Sequence, residues 1–246
     1  MPVETPHDLA EGLRRSEHVV ALTGSGVSAE SGVPTFREAQ TGLWERYDPQ
    51  QLATPEAFAR DPDLVWSWYA WRRELVRKAE PNPAHLALAE LERRVPHFTL
   101  VTQNVDGLHR RAGSKNVVEL HGNIQRTLCS SEMLAVEPDE GAEGTPVCPN
   151  CGAPLRPGVV WFGEALPEAE IVAASRAVQE CDLLLSVGTS SLVYPAAALP
   201  FDAHDAGATV VEINPGDTPL TAVADHALRG RAGEILPALV RAVYYD

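Results

Sequence analysis

The residues best suited to chemistry begin at Gly24. Val19-Val20-Ala21-Leu22 is an apolar run of the kind that forms a buried parallel strand, and it breaks directly into Thr23-Gly24-Ser25-Gly26. A strand that ends in glycines and leads into a helix start lets backbone N–H groups approach a pyrophosphate. Gly24, Ser25, Gly26, Ser28 and Ala29 therefore form a candidate phosphate loop, with Gly32, Pro34 and the aromatic and cation Phe36-Arg37 just beyond it. Gly32 lies six residues after Gly26, so the dehydrogenase spacing Gly-x-Gly-x-x-Gly is poorly matched. His121 follows another apolar run, Val117 to Leu120. An imidazole can take and return a proton near neutral pH, although a single histidine at a strand end equally serves as a hydrogen-bonded packing residue. Tyr69 and Arg72 are three apart and share one helix face. A guanidinium with a phenol beside it can hold a carboxylate; Arg72 also reads as one charge of the surface run Arg72-Arg73-Glu74.

Gly24 to Arg37 resembles the signature of the sirtuins, the NAD-dependent protein deacylases. Four further segments agree with it in the family's order: Thr102-Gln103-Asn104-Val105-Asp106-Gly107-Leu108-His109, then His121-Gly122, then Val159-Val160-Trp161-Phe162-Gly163-Glu164, then Gly188-Thr189-Ser190 with Asn214-Pro215. The resemblance runs from about Val19 to about Leu236, nearly the whole chain. It implies an α/β fold with a Rossmann-like doubly wound parallel sheet, built from about 1–37, 82–126 and 159–246. It also implies a smaller module made of a helical insert, 38–81, and a zinc-ribbon-like insert, 127–158, with NAD in the cleft between the two.

The same resemblance implies roles. His121 would be the general base, Asp106 would hold the nicotinamide amide, and Asn104 would order the ribose and nearby water. Phe36 and Arg37 would cover the nicotinamide ribose and the phosphates. Gln103, Val105, Gly188 and Thr189 would complete the cofactor site, with Ser190, Asn214 and Ala232 along its adenosine half. Val160, Trp161, Phe162, Gly163 and Glu164 would form the strand that pairs with the backbone of an acylated-lysine peptide, a mode that gives affinity with little sequence selectivity. The products would be deacylated lysine, nicotinamide and O-acyl-ADP-ribose. An NAD glycohydrolase or ADP-ribosyltransferase on the same scaffold is the alternative; it has no use for a peptide-pairing strand. Tyr69-x-x-Arg72, flanked by Leu52-Ala53-Thr54-Pro55 and by Val65-Trp66, resembles the sirtuin class that removes succinyl, malonyl and glutaryl groups. Removal of succinyl and malonyl groups, with some deacetylation, is the expectation.

Family members of this kind carry two Cys-x-x-Cys pairs for structural zinc. The second pair is present as Cys148-Pro149-Asn150-Cys151, but in the first Cys129 is followed by Glu132 where a cysteine belongs. Glu132 could complete the site, since zinc accepts a carboxylate oxygen. Water or another side chain could do so instead, or packing alone could hold the module. A zinc on Cys129, Cys148 and Cys151 is the favoured reading. Cys181, at the start of a predicted strand, is expected in the core.

The elements that must position these groups follow from apolar periodicity. Thr5-Pro6 reads as a helix start with Leu9 and Leu13 on its inner face, and Asn82-Pro83 starts another helix with Leu86, Leu88 and Leu91 apolar. Strands are expected at 98–102, 117–120, 183–187 and 208–213, and helices at 168–180 and near 233–243. Every polar motif then falls at the C-terminal end of a strand, where open α/β sheets bind ligands. With 34 acidic against 20 basic residues the 246-residue chain carries a net charge of −14, which disfavours non-specific binding to nucleic acid or to an anionic membrane. No basic, apolar leader, no membrane-length apolar run and only four cysteines make a cytoplasmic, monomeric protein the expectation.

Overall fold

The structure is a computed structural model and describes residues 5–34, 47–138 and 144–245. In chain order α1 (His7–Arg15) leads to β1 (His18–Thr23), and α2 (Pro49–Leu52), α3 (Pro55–Arg60), α4 (Pro62–Lys78) and α5 (Pro83–Arg94) precede β2 (His97–Thr102). A short α6 (Leu108–Arg111) leads to β3 (Val117–Glu119) and to a ribbon of β4 (Gly122–Cys129) and β5 (Leu155–Val159). Then come α7 (Glu168–Glu180), β6 (Leu183–Val187), α8 (Leu199–Asp205), β7 (Thr209–Asn214), β8 (His226–Arg229) and α9 (Ala232–Tyr244).

Six strands pair in parallel in the order β3-β2-β1-β6-β7-β8. This is the doubly wound order, and its direction reverses between β1 and β6. Side chains alternate across each strand. From β1, Val19 and Ala21 join one core with Leu9 and Leu13 of α1, Leu88 and Leu91 of α5 and Leu236 and Leu239 of α9. Val20 and Leu22 join the opposite core with Ala174 and Val178 of α7 and Leu199 and Ala203 of α8. A strand buried on both faces has to be apolar throughout, which is why the short runs were readable as strands.

Two local expectations differ. The first helix begins at His7 after Pro6, with no side-chain cap, so Thr5 is not its N-cap; Asp8 supplies the first-turn negative charge instead. Leu86 is 52% exposed while Leu88 and Leu91 are fully buried, because two residues along a helix turn a side chain to the far face. Asn82 does cap α5, accepting from Ala84 N, and its own amide donates to Val27 O at 2.8 Å, which ties the helix to the glycine loop. Cys181 is buried as expected.

A separate core lies against the ends of the strands. Val65, Trp68 and Tyr69 of α4 pack with Phe58 of α3, with Ile124 and Val159 of the ribbon, and with Trp161. Arg73 joins the helix to the ribbon. It is buried, and its guanidinium donates to Ile124 O at 2.6 Å, to Arg126 O at 2.7 Å and to Thr127 Oγ1 at 3.1 Å. Burial pushes its pKa down to about 10, still far above neutral. Arg73→Met strips two ribbon carbonyls of their donor. The expected loss is about 2–3 kcal/mol, or a fall in Tm of roughly 4–12 °C for a chain of this size. An unchanged thermal melt would show that α4 and the ribbon are held by apolar packing alone.

Candidate active site

Three glycines meet where the sheet reverses direction. Gly24 N donates to Val187 O at 3.0 Å, Gly26 N to Gly188 O at 2.9 Å, and Gly188 N to Ile213 O at 3.0 Å. The backbones are so close that a Cβ on Gly24 or Gly26 would lie 2.8 Å from Gly188. Gly188 has φ +59, and a Cβ there would lie 2.5 Å from Val27 N. Only glycine fits these places, and the result is a side-chain-free floor at the ends of β1 and β6. Gln103 Nε2 donates to Thr189 Oγ1 at 3.0 Å and Asn214 Nδ2 to Thr189 O at 2.7 Å, which fixes the rim.

A buried polar network underlies this floor. Ser28 Oγ donates to Asp106 Oδ2 at 2.7 Å and accepts from Asn104 Nδ2 at 3.1 Å; Asn104 Nδ2 also donates to Gly24 O at 3.1 Å. Asp106 Oδ1 accepts from Leu108 N at 2.9 Å. Burial raises the Asp106 pKa, and its two hydrogen bonds oppose that rise. His85 Nδ1 accepts from Asn82 N, so Nε2 bears the proton that faces Ser28 Oγ at 3.4 Å. His109 lies beside it, ring centroids 4.8 Å apart, with Nε2 at 2.9 Å from Thr23 Oγ1. Thr23 Oγ1 donates to Thr102 Oγ1, which accepts from Asn104 N. Burial lowers the pKa of His85 to about 4 and that of His109 well below its usual value, so both are neutral at pH 7.

His121 stands across the opening. Its Nδ1 lies 2.8 Å from Gln103 O, an atom that only accepts, so Nδ1 carries the proton and Nε2 keeps its lone pair. Burial lowers its pKa, and the Gln103 carbonyl opposes the shift. The His121 carbonyl accepts from Val160 N at 2.9 Å. The segment after Val159 is not a continued strand, contrary to expectation. Gly163 has φ +89, and Glu164 N donates back to Trp161 O at 3.0 Å. Glu164 Oε2 accepts from Trp161 N at 2.8 Å, so the carboxylate closes a turn over Trp161 to Glu164. Beside this turn, Tyr69 is buried and Arg72 half-buried, its Cζ 5.0 Å from the Trp68 ring. Arg72 is thus part of the cavity wall, and its neighbour Arg73 is a buried tether. Among the three residues of the presumed surface run only Glu74 is exposed.

The sequence profile of the Sir2 family matches residues 24–195. An NAD-dependent protein deacylase of Methylococcus capsulatus is 51% identical over 98% of both chains. NAD-dependent protein deacylase 1 of Archaeoglobus fulgidus is 52% identical over 96% of both. The chain belongs to the Sir2 family. A crystal structure of a Sir2 homologue in complex with NAD superimposes with a TM-score of 0.92 at 50% identity, covering 98% of this chain and 95% of that one.

One cavity of about 620 Å³ gathers most of the residues expected from this Sir2-type sequence. Gly24, Ser25, Gly26, Ser28, Gln103, Asn104, Val105, Asp106, Gly188, Thr189, Ser190 and Asn214 line its floor and rim, and His121, Tyr69, Arg72 and Val160 to Glu164 line its walls. Ala29 and Ala232 are not among the described residues that line it. Ala232 is buried in the first turn of α9, whose Gly233 N–H is taken by Glu30 at 2.8 Å. Phe36 and Arg37 lie outside the described residues. The pair His85–His109 with Thr23 was not foreseen. Asn82 to His85 carried only a helix-start signal, and nothing local reveals that a helical histidine meets the glycine loop.

Cys129, Glu132, Cys148 and Cys151 form a second cluster, at the ribbon's far end. Their ligand atoms all lie within 4.8 Å of one another, with Cys129 Sγ and Cys151 Sγ 3.4 Å apart. Cys148 N donates to Ala153 O and Gly152 N to Cys148 O, and Gly152 at φ +75 completes a tight knuckle. The backbone N–H of Glu132 lowers the Cys129 thiol pKa. Three thiols and a carboxylate are a donor set that suits tetrahedral zinc.

The buried histidines make stability depend on pH. With His85 near 4 when folded and about 6.5 when unfolded, the unfolded chain binds the proton more readily. Its contribution is complete above about pH 6.5 and is lost as the pH falls through 4. Urea unfolding at stepped pH should show the wild-type advantage over His85→Gln shrinking across that window. A constant difference would mean that His85 is not held neutral.

Proposed function

We propose that the protein is an NAD-dependent protein-lysine deacylase that favours acyl groups ending in a carboxylate, succinyl and malonyl, over acetyl. The observation that carries this reading is the placement of Tyr69 and Arg72 on the wall of the same cavity that holds the glycine floor and His121.

The floor fits a dinucleotide. A Cβ would fill it at Gly24, Gly26 and Gly188, and this side-chain-free backbone lets a pyrophosphate approach closely. NAD supplies the ADP-ribose that receives the acyl group and the nicotinamide that leaves. Asp106, oriented by Ser28 and Leu108 N, holds the nicotinamide amide. Asn104 orders the ribose side, and Ser190 and Asn214 the adenosine side. His121, neutral at pH 7 and protonated at Nδ1, takes a proton at Nε2. The peptide lies against Val160 to Glu164. No covalent nucleophile is assigned among the described residues; the chain contributes orientation and charge placement in the cleft.

Burial pushes the Tyr69 pKa up to about 12, so the phenol keeps its proton and donates. Burial lowers the Arg72 pKa, while Tyr69 and Asp106 oppose the shift; a guanidinium keeps its charge at neutral pH. Together they offer a carboxylate two or three charge-assisted bonds. Matched succinyl-lysine and acetyl-lysine peptides, assayed with NAD, test the reading. Wild type is expected to prefer succinyl, and Arg72→Met to lose about 2–5 kcal/mol on that peptide alone, a drop of roughly 30-fold or more in kcat/KM. His121→Ala should lose activity on both. Preference for acetyl with a silent Arg72→Met would remove the acid-acyl assignment and leave a deacetylase.

We also propose structural zinc on Cys129, Cys148 and Cys151 with the Glu132 carboxylate as fourth ligand. An oxygen holds zinc less tightly than a thiolate in such a site, so metal should be lost to a chelator faster than from Glu132→Cys and more slowly than from Glu132→Ala. A colorimetric zinc-release assay ranks the three. Purified protein without zinc, and with a Tm unmoved by chelation, would show that packing alone supports the knuckle.

A further inference from the structure

Trp161 touches both halves of the substrate site. Its backbone belongs to the peptide-side turn, and its indole Nε1 lies 3.1 Å from Tyr69 Oη in buried surroundings. An indole N–H can only donate, so the phenol oxygen accepts there and its own proton is directed away from Trp161. Tyr69 and Arg72 line the cavity side of this pair.

The indole has little freedom to turn. Trp161 is only 3% exposed, and the Phe58 ring lies 5.2 Å away. The Arg156 guanidinium stacks on it, Cζ 3.5 Å from the ring centroid. Arg156 is itself buried and grips Glu164 with two bonds, Nη1 to Oε1 at 2.6 Å and Nη2 to Oε2 at 2.8 Å, while Nη2 also donates to Val159 O at 3.0 Å. Glu164 in turn holds Trp161 N. One ion pair, buried at Arg156 and half-buried at Glu164, therefore clamps the Trp161 ring and backbone together.

We infer that Trp161 is a specificity-determining residue: its indole N–H fixes the Tyr69 hydroxyl as a donor toward a carboxylate-bearing acyl group, and Arg156 is the positioning residue that holds the indole in place. The inference rests on the acid-acyl reading above. Any acyl-peptide meets the Trp161 backbone, but only an acyl chain with a carboxylate meets the proton on Tyr69. Loss of the indole nitrogen should therefore separate the two kinds of substrate.

The test compares Trp161→Phe, Tyr69→Phe and the double variant on matched succinyl-lysine and acetyl-lysine peptides with NAD. A single neutral hydrogen bond corresponds to about a 3- to 10-fold change. Trp161→Phe is expected to raise KM for the succinyl peptide by about that factor more than KM for the acetyl peptide. Tyr69→Phe should do the same, and the double variant should be no worse than Tyr69→Phe, because both act through one hydroxyl. Equal KM changes on both peptides, or additive effects in the double variant, would overturn the inference. Should the smaller ring not hold the fold, 3-benzothienylalanine at position 161 keeps the bicycle and removes only the N–H. Arg72→Met separates the two levels. Succinyl activity that depends on Arg72 but not on the indole N–H defeats this inference alone. Succinyl activity indifferent to Arg72 defeats the parent reading, and this inference with it.

Discussion

The site depends on backbone meeting backbone at the point where the sheet changes direction. Gly24, Gly26 and Gly188 approach so closely that any side chain on them would overlap the opposite strand end. The parallel sheet brings the ends of β1 and β6 side by side, and this contact gives them a floor bare of side chains. The rest of the cavity is arranged around that floor. Asn104 and Ser28 brace it from below, Gln103 and Asn214 hold its rim through Thr189, and the Gln103 carbonyl then fixes the His121 ring. Residues distant in the sequence thus share one reference surface, so an added methyl group at Gly26 would be felt at the proposed base as well as at the cofactor.

The direction of each hydrogen bond matters as much as its presence. Asn82 N gives its proton to His85, which obliges His85 to face Ser28 as a donor, which obliges Ser28 to donate to Asp106. Across the cavity, Gln103 O obliges His121 to keep its lone pair on Nε2. A neutral His85 is essential to the first chain, since a second proton would remove the acceptor for Asn82 N. Burial keeps it neutral by disfavouring the charged ring. The fold therefore stores its protonation pattern in desolvation.

Legibility in the sequence followed burial. Strands buried on both faces are continuous apolar runs, so β6 (Leu183–Val187) and the helix Glu168–Glu180 emerge with the bounds that were expected. The edge strand β8, His-Ala-Leu-Arg, is half-exposed and has no such run, and it was not foreseen. The antiparallel ribbon was anticipated only as a cysteine-bearing insert, since Gly, Pro and Arg interrupt its strands. The residues lining the cavity were legible because they cluster in short motifs at strand ends. Those that support them from behind were not: His85, Arg73 and Arg156 each act across more than one element, and no local spacing records such a partnership. The turn at Trp161 to Glu164 is the same lesson in reverse. The motif was visible, but its shape depends on an arginine on the preceding strand.

The two arginines on either side of the Tyr69–Trp161 pair show how one residue type serves opposite ends here. Arg156 has its charge matched by Glu164 at two oxygens, and the pair is rigid because both partners are already committed. Removing Glu164 from such a pair leaves the buried Arg156 charge uncompensated, which makes it a durable clamp. Arg72 lines the cavity within the field of Asp106, and its guanidinium lies over the Trp68 ring. A carboxylate brought against it there offsets part of the cost of burying its charge. In the proposed reading a succinyl carboxylate does so and an acetyl methyl does not. A site built to bond a charged group discriminates strongly against a substrate that lacks it, because the site's own polar groups then remain underused. That asymmetry predicts a preference set mainly by how well Arg72 and Tyr69 are held in advance, and the clamp on Trp161 is the structure's means of holding one of them.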